Sequence, residues 1–142
     1  MSDMEPTTSG RLDEAAWICH AIAMATGSQE KASLRHVIAT ADYINHAVPT
    51  FSEFRTCFEA LQSVGLVRYH RDHCEPSPAL RAAYEQIQAK DRSVQKQYQA
   101  LEKWLFAWEQ QPTEAGLFEV VEGELVDAAT FEASVQAYLN VI

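Results

Sequence analysis

Apolar residues recur at helical spacing along most of the chain and predict its main elements. The first such stretch, 12–25, is apolar on most sides, which predicts a largely buried helix. Ser33 and Thr50 precede the next two stretches, so we predict helices that begin there. Thr50 with Glu53 also matches the capping box, in which side chains satisfy free backbone donors reciprocally. Pro49 ends the second helix, because proline disfavours helical geometry in the residue before it.

A short hairpin is predicted after the third helix, which runs over 50–64. Gly65 is the residue expected at a left-handed helix terminus. Residues 66–70 are β-branched and aromatic, which is typical of a strand, and 74–76 form a brief return strand. The strands are short beside the helices, so the predicted fold class is mostly α with a minor β part (α+β).

The longest periodic feature extends over about 78–110. Ser77-Pro78 begins it, and apolar positions then alternate at spacings of four and three, a pattern typical of a helix packed along another helix. The sequence allows one helix, or two helices that divide near 89–91. Residues 117–121 form a candidate short strand or extended arm, and Asp127 caps a last helix. The apolar seam predicted to join two subunits consists of Tyr84, Ile87, Val94, Tyr98, Leu101, Leu105 and Trp108.

The order of these elements resembles that of the winged helix-turn-helix. Two stretches carry the resemblance: 41–50, which ends in Pro49-Thr50, and the Leu-x-x-x-Gly-Leu-Val closure at 61–67. Over about residues 12–80 the chain is similar to bacterial winged-helix proteins. The resemblance implies a recognition helix at 50–64 and a wing at 66–76. It marks a fold more than a function, because winged helices serve DNA-binding regulators and protein-docking modules alike.

Charge bears on the choice between those two functions. The net charge is −9, and its parts are −4 over residues 1–30, +1 over 31–81 and −6 over 82–142. Phosphate binding needs a basic face, so only the middle part could contact nucleic acid. The recognition helix offers one arginine between two acids, which makes DNA binding the less favoured reading. The candidate contact residues for DNA or a protein partner are Ser52, Arg55, Thr56, Arg68, His70 and Arg71.

Other kinds of site have little support in the sequence. His70 and His73 are metal-ligand types, but a hairpin would alternate their faces and no second ligand pair follows. Cys57 lies on an apolar helix stripe, which is typical of a structural thiol rather than a nucleophile. Phosphate-loop and hydrolase motifs are absent from the sequence. We therefore predict no enzyme, no cofactor and no metal site, and an exposed acidic patch over 119–127.

These observations give a set of expectations. No apolar run approaches the roughly 18–20 residues of a membrane helix, and three scattered cysteines fit a reducing cytoplasm. We expect a flexible tail (1–11), a winged-helix domain (12–80), and a long helix with a C-terminal packing or dimerisation segment (81–142). The predicted function is a non-enzymatic, homodimeric module that docks an unidentified protein partner. The alternative is a DNA-binding transcription regulator that uses 50–64 and 66–76.

Overall fold

A computed structural model describes residues 11–119 and 124–140 of the chain. A 3-10 turn (Leu12–Ala15) leads into the first α-helix. The helices of the described part are α1 (Ala16–Thr26), α2 (Leu34–Asn45), α3 (Phe51–Ser63), α4 (Pro78–Lys90), α5 (Val94–Gln110) and α6 (Ala128–Leu139). Its strands are β1 (Ala32–Ser33), β2 (Val67–His70) and β3 (His73–Pro76). The mostly helical class predicted from the sequence is confirmed.

Side-chain caps fix where the helices begin. Thr50 accepts a hydrogen bond from the Glu53 N–H at 3.0 Å, and the Glu53 carboxylate accepts one from the Thr50 N–H at 2.9 Å. Ser33, Ser77 and Asp127 cap α2, α4 and α6 through the amide three residues on. These caps satisfy amides that have no partner inside a helix. The predicted helix starts at these residues are confirmed.

The small sheet contains one strand that the sequence does not reveal. β1 pairs antiparallel with β3, which also pairs antiparallel with β2, so the strand order is β1-β3-β2. The sequence predicts only a polar connector over 27–32. The strand is missed because two residues are too few to show an alternating pattern. β1 ties the N-terminal end of α2 to the hairpin, which is the name used below for Val67–Pro76.

The turn of the hairpin has an unusual backbone for its residues. Arg71 and Asp72 have φ values of 46° and 65°, in the left-handed region that glycine and asparagine usually occupy in tight hairpins. Two contacts hold the turn in this form. The Tyr69 hydroxyl donates to Asp72 Oδ1 at 3.0 Å, and the Leu34 N–H donates to the Asp72 carbonyl at 2.8 Å.

The core is built around α1. Ile18, Cys19 and Ile22 of this helix are fully buried, and they pack among α2, α3, α5 and β3. The indole N–H of Trp17 donates to the Ala41 carbonyl at 2.9 Å, which joins α1 to α2. The Leu12 N–H donates to Glu109 Oε1 at 2.9 Å and fastens the 3-10 turn to α5. A central buried helix explains why 12–25 is apolar on most sides.

The long periodic stretch divides into two helices, one of the two arrangements that the sequence allows. α4 ends at Lys90, Asp91 is extended, and Ser93 begins α5 by accepting from the Lys96 N–H at 3.2 Å. The Gln97 side chain donates to the Asp91 carbonyl at 2.9 Å and closes the connection. α4 and α5 pack on each other, so they form a helical hairpin rather than one rod.

The described part of the segment after α5 is the extended arm, one of the two arrangements that the sequence allows. Leu117, Phe118 and Glu119 belong to no strand, while 120 and 121 lie outside the described residues. The Phe118 N–H donates to the Gly65 carbonyl at 2.9 Å. A built Cβ on Gly65, where φ is +83°, would lie 2.5 Å from the Phe118 carbonyl oxygen. The segment is thus an arm laid over the α3–β2 turn, and this close approach requires glycine.

Candidate functional site

The exposed side of α3 carries three of the predicted contact residues. Ser52, Arg55 and Thr56 are all exposed. The guanidinium of Arg55 pairs with Glu59 one turn later, with Nε and Oε2 2.9 Å apart. The single cation that the sequence assigned to this helix is therefore neutralised on the helix itself, as an exposed (i, i+4) pair.

The hairpin carries the other three predicted contact residues. A carboxylate contacts the side chain of Arg68, the side chain of His70 and the backbone N–H of Arg71. Arg68 Nε lies 3.0 Å from Glu75 Oε1 on the neighbouring strand. His70 Nδ1 lies 3.1 Å from Glu124 Oε1. The Arg71 N–H donates to both oxygens of the Glu124 carboxylate, at 3.2 and 3.3 Å. The hairpin thus has less free positive charge than its sequence indicates.

Glu124 belongs to a covering segment, which we define as the described residues 117–119 and 124–127. Near one end of the hairpin, the Phe118 ring lies under the Arg68 guanidinium, 4.1 Å from ring centroid to Cζ, in a cation–π contact. At the other end of the hairpin, the Glu124 carboxylate accepts the hydrogen bonds from the Arg71 N–H in the turn. Val126 is buried and lies with Leu125 beside Phe54 and Phe58 of α3.

α6 extends the same cover along α3. Phe131 is almost fully buried, with its ring centroid 5.2 Å from that of Phe54 and 5.6 Å from that of Phe51. The Tyr138 hydroxyl donates to Asp42 Oδ2 at 2.6 Å and anchors the helix on α2. The chain therefore lays its own C-terminal part along one edge of the α3–hairpin face, by which we mean the exposed sides of α3 and of the hairpin. Ser52, Arg55 and Thr56 stay exposed beside it.

This cover was not predicted from the sequence. The sequence predicts an exposed acidic patch over 119–127. Glu119 and Glu124 are exposed, but the Glu124 carboxylate also contacts His70 and the Arg71 N–H of the hairpin. The signal in the sequence that could have revealed it is the apolar Leu125-Val126 and Phe131, which lie next to the acidic residues Glu124 and Asp127. Apolar residues next to an acidic cluster indicate that the segment packs on something, although they do not indicate on what.

A groove of about 570 Å³ remains between the covering segment and the outer face of the sheet. Its polar lining mixes both signs of charge, with Lys31 and Arg68 beside Glu30 and Glu119. His73 Nδ1 makes a hydrogen bond with the Arg71 carbonyl at 2.9 Å. Among the described residues, no group of three or more His, Cys, Asp or Glu side chains is placed to hold a metal ion.

The thiols have no activating surroundings among the described residues. Burial, together with the nearby Glu53 and Glu14 carboxylates, raises the pKa of Cys57 to about 11. Burial also raises the pKa of Cys19 and of Cys74 far above the usual range. A thiol with a raised pKa is protonated near neutral pH and is a poor nucleophile. This geometry gives no chemical reason to assign a catalytic role to Cys57.

The residues of the predicted dimer seam are mostly used inside the chain. Leu101 and Leu105 are fully buried, and Tyr84 and Trp108 are buried as well, against α1 and the 3-10 turn. Ile87, Val94 and Tyr98 are half-buried. The 4-3 pattern therefore reflects packing of a helix against this chain's own core. Four of the seven residues leave no surface for a second subunit, which corrects the predicted composition of the seam.

Two further aromatic residues of α5, Phe106 and Trp104, differ in how far they are buried. Phe106 is 46% exposed, while Trp104 is half-buried and stacks on Trp108 with ring centroids 6.4 Å apart. The described C-terminal segment packs on α2 and α3 and does not wrap back over these side chains. The 3-10 turn packs on α5, and Trp108 is buried there.

Comparisons place no further constraint on the site. Matching of the chain against protein-family models, curated proteins and solved structures found no similar protein. Within the described residues, no helix is both long enough and apolar enough to cross a membrane.

Proposed function

We propose that this protein is a non-enzymatic interaction module with a winged helix over residues 12–80, and that it docks onto a protein partner. The element order supports the winged helix: α2 and the capped α3 are followed by Gly65 and the hairpin, and β1 completes a three-stranded sheet. These are the elements that the resemblance in the sequence implies.

The observation that carries the proposal is the cover on the α3–hairpin face. A helix-turn-helix reads DNA by placing its recognition helix in the major groove, which needs that helix and its flanks free. Here Val126 and Phe131 pack on α3, and Glu124 binds the turn of the hairpin. The Glu124 carboxylate therefore lies at the hairpin turn, where a duplex phosphate would otherwise contact His70 and the Arg71 N–H.

Electrostatics support the same choice. Arg55, Arg68 and His70 each have an acidic partner within 3.1 Å. Binding to phosphates would have to displace those partners, and the remaining chain carries a large negative charge that repels a polyanion. Protein surfaces tolerate mixed charge and paired residues, so these features do not oppose docking of a protein.

A binding selection tests the proposal. The full chain is incubated at about 0.15 M salt with a pool of random-sequence duplexes, and bound DNA is recovered and sequenced over several rounds. We expect no enriched motif and no retained duplex beyond weak association at low salt. Enrichment of one motif, with sub-micromolar affinity for it, would refute the proposal.

The alternative function is transcription regulation through 50–64 and the hairpin. One observation favours it: the Arg71 residue is exposed at the hairpin tip, and within residues 11–119 and 124–140 its backbone N–H, not its guanidinium, forms the hydrogen bonds. If the hairpin grips DNA there, Arg71→Ala should flatten the log–log salt dependence of binding by about one unit, whatever the sequence. If the protein binds duplex DNA but Arg71→Ala leaves the slope of log affinity against log salt concentration unchanged, the hairpin tip does not contact the DNA.

A further inference from the structure

The helical hairpin of α4 and α5 holds a concentration of positive charge that the proposed function does not use. The chain has four lysines, and Lys90, Lys96 and Lys103 line one groove of about 740 Å³ between these helices. Residues 82–142 carry a charge of −6, so this groove is a basic site on an otherwise acidic half of the molecule. Asp91 is the acidic side chain among its described lining residues.

The three lysines are available to a ligand. All are exposed, and none forms an ion pair with another described residue. This sets them apart from Arg55 and Arg68 on the α3–hairpin face, which have carboxylate partners. An uncompensated cluster of like charges is stabilised when an anionic partner binds to it.

The floor of the groove is apolar and firmly supported. Ala83, Ile87 and Ala100 contribute small or branched side chains, and Trp104 stands at one end, braced by its stacking on Trp108. A rigid, partly exposed tryptophan is a common anchor in protein interfaces, because it buries a large area at little cost in entropy. Gln86 and Gln99 add amide donors and acceptors at the sides.

The lining residues also define the shape of the ligand. They recur at spacings of three and four on α4 (83, 86, 87, 90) and on α5 (96, 99, 100, 103), so one continuous face of each helix borders the groove. The groove therefore follows the helix axes for about 10 Å, roughly two helical turns. Small residues along its floor let a third helix approach closely and pack its ridges there.

We propose that this groove binds an acidic amphipathic helix of a partner protein, whose apolar stripe contacts Ile87 and Trp104 while its carboxylates meet Lys90, Lys96 and Lys103. The inference rests on the proposed function and names the chemistry of the partner. Helix-in-groove recognition of this kind uses anchors at i, i+3 or i+4, and i+7. The cover on the α3–hairpin face leaves this groove open.

The test uses a labelled probe of the stated chemistry. A fluorescein-tagged, helix-forming peptide of about two to four turns carries leucines along one stripe and glutamates on both sides of it, and its anisotropy is followed against the full-length protein. We expect saturable binding that weakens with salt. Lys90→Glu with Lys103→Glu should weaken it on the order of tenfold, because two attractive contacts become repulsive.

Arg11→Glu with Arg35→Glu is the matched control, since both residues are exposed and lie outside this groove and outside the groove beside the sheet. It makes the same change in net charge and should leave binding unchanged. A second variant, Trp104→Phe, keeps an aromatic ring at the site and should weaken binding without unfolding the protein. A peptide with lysines in place of the glutamates should not bind.

Several outcomes would overturn the inference. These are equal weakening by the control pair, retention of binding in the Lys90 and Lys103 variant, or tighter binding of a DNA duplex or an anionic vesicle to the same groove. If the peptide does not bind and no motif is enriched from the duplex pool, the proposed helix-binding groove is refuted but the proposed function is not. Enrichment of a DNA motif removes the proposed function whatever the peptide does.

Discussion

At the scale of single residues, His20 shows how the core uses a polar side chain. It is fully buried in α1, and its Nε2 lies 3.3 Å from the hydroxyl of Tyr84, which donates to Gln97 Oε1 at 2.8 Å. Its Nδ1 has no hydrogen-bond partner among the described residues. Burial lowers the pKa of His20 to about 4, because the charged imidazolium would lose its hydration.

The buried His20 predicts an acid-sensitive stability. Its pKa is 6.5 when unfolded and about 4 when folded, so the unfolded chain binds the proton more readily. The stabilisation from neutral His20 is present above pH 6.5 and is lost as the pH falls towards 4, by up to roughly 3 kcal/mol. Urea unfolding at a series of pH values measures this. His20→Gln, which cannot gain the proton, should flatten the dependence in that window, and an unchanged profile would contradict the assignment.

Gly65 is the second residue with a specific consequence. Its φ of +83° disfavours any side chain, and a Cβ would also meet the Phe118 carbonyl oxygen at 2.5 Å. A left-handed conformation alone costs alanine roughly 1–2 kcal/mol. We expect Gly65→Ala to cost more than this in chemical denaturation, because the covering segment must shift as well.

Gly65→Asn separates the two causes. Asparagine tolerates left-handed geometry far better than alanine does, yet it carries the same Cβ. If the contact with Phe118 matters, Gly65→Asn should be nearly as destabilising as Gly65→Ala. Full recovery of stability in Gly65→Asn would mean that the segment does not lie on Gly65.

At the scale of elements, local signals in the sequence were sufficient where a side chain acts on its own backbone. Thr50, Ser77 and Asp127 were recognised as caps because their bonds close within one turn. β1 was not recognised, and the choice between a strand and an arm at 117–121 stayed open, since each depends on a partner far away in the chain. Neither a strand of two residues nor an arm held by one backbone bond leaves a periodic pattern.

The seam on α5 shows the limit of the heptad pattern. Its 4-3 spacing correctly indicated a helix packed along another surface, but spacing cannot tell a second copy of the chain from the chain's own α1. Burial of Leu101 and Leu105 identifies the internal surface. The homodimer stays a prediction, but with Leu101 and Leu105 buried inside the chain its interface would have to lie elsewhere.

Leu101→Asp discriminates between internal packing and a subunit interface. An unpaired charge in the core costs several kcal/mol, so we expect the variant to unfold or to lose most of its thermal stability. Phe106→Asp, on the same helix but 46% exposed, should leave stability nearly unchanged. Light scattering of a wild type at twice the chain mass, with a folded half-mass Leu101→Asp variant, would restore the dimer seam.

At the scale of the whole molecule, the candidate site is a face along which the chain lays its own C-terminal part. The sequence located the six contact residues on α3 and the hairpin but could not assign their partners. Arg68 with Glu75 and Arg55 with Glu59 are near neighbours, whereas Glu124 is more than fifty residues from His70 along the chain. Charge counted along the sequence therefore overstated the positive charge that the hairpin offers to a ligand.

The bond between the Arg71 amide and Glu124 tests the cover most directly. In a tight hairpin this turn amide has no ladder partner, so it would exchange rapidly with solvent if Glu124 were elsewhere. The measurement is amide hydrogen exchange by NMR on wild type, Glu124→Ala and the control Glu119→Ala, which keeps Glu124 intact. We expect an Arg71 amide that exchanges at least about tenfold more slowly than a free turn amide, that loses much of this protection in Glu124→Ala and keeps it in Glu119→Ala. An Arg71 amide that exchanges as fast as a free turn amide in the wild type would show that the α3–hairpin face is open, and would contradict the account.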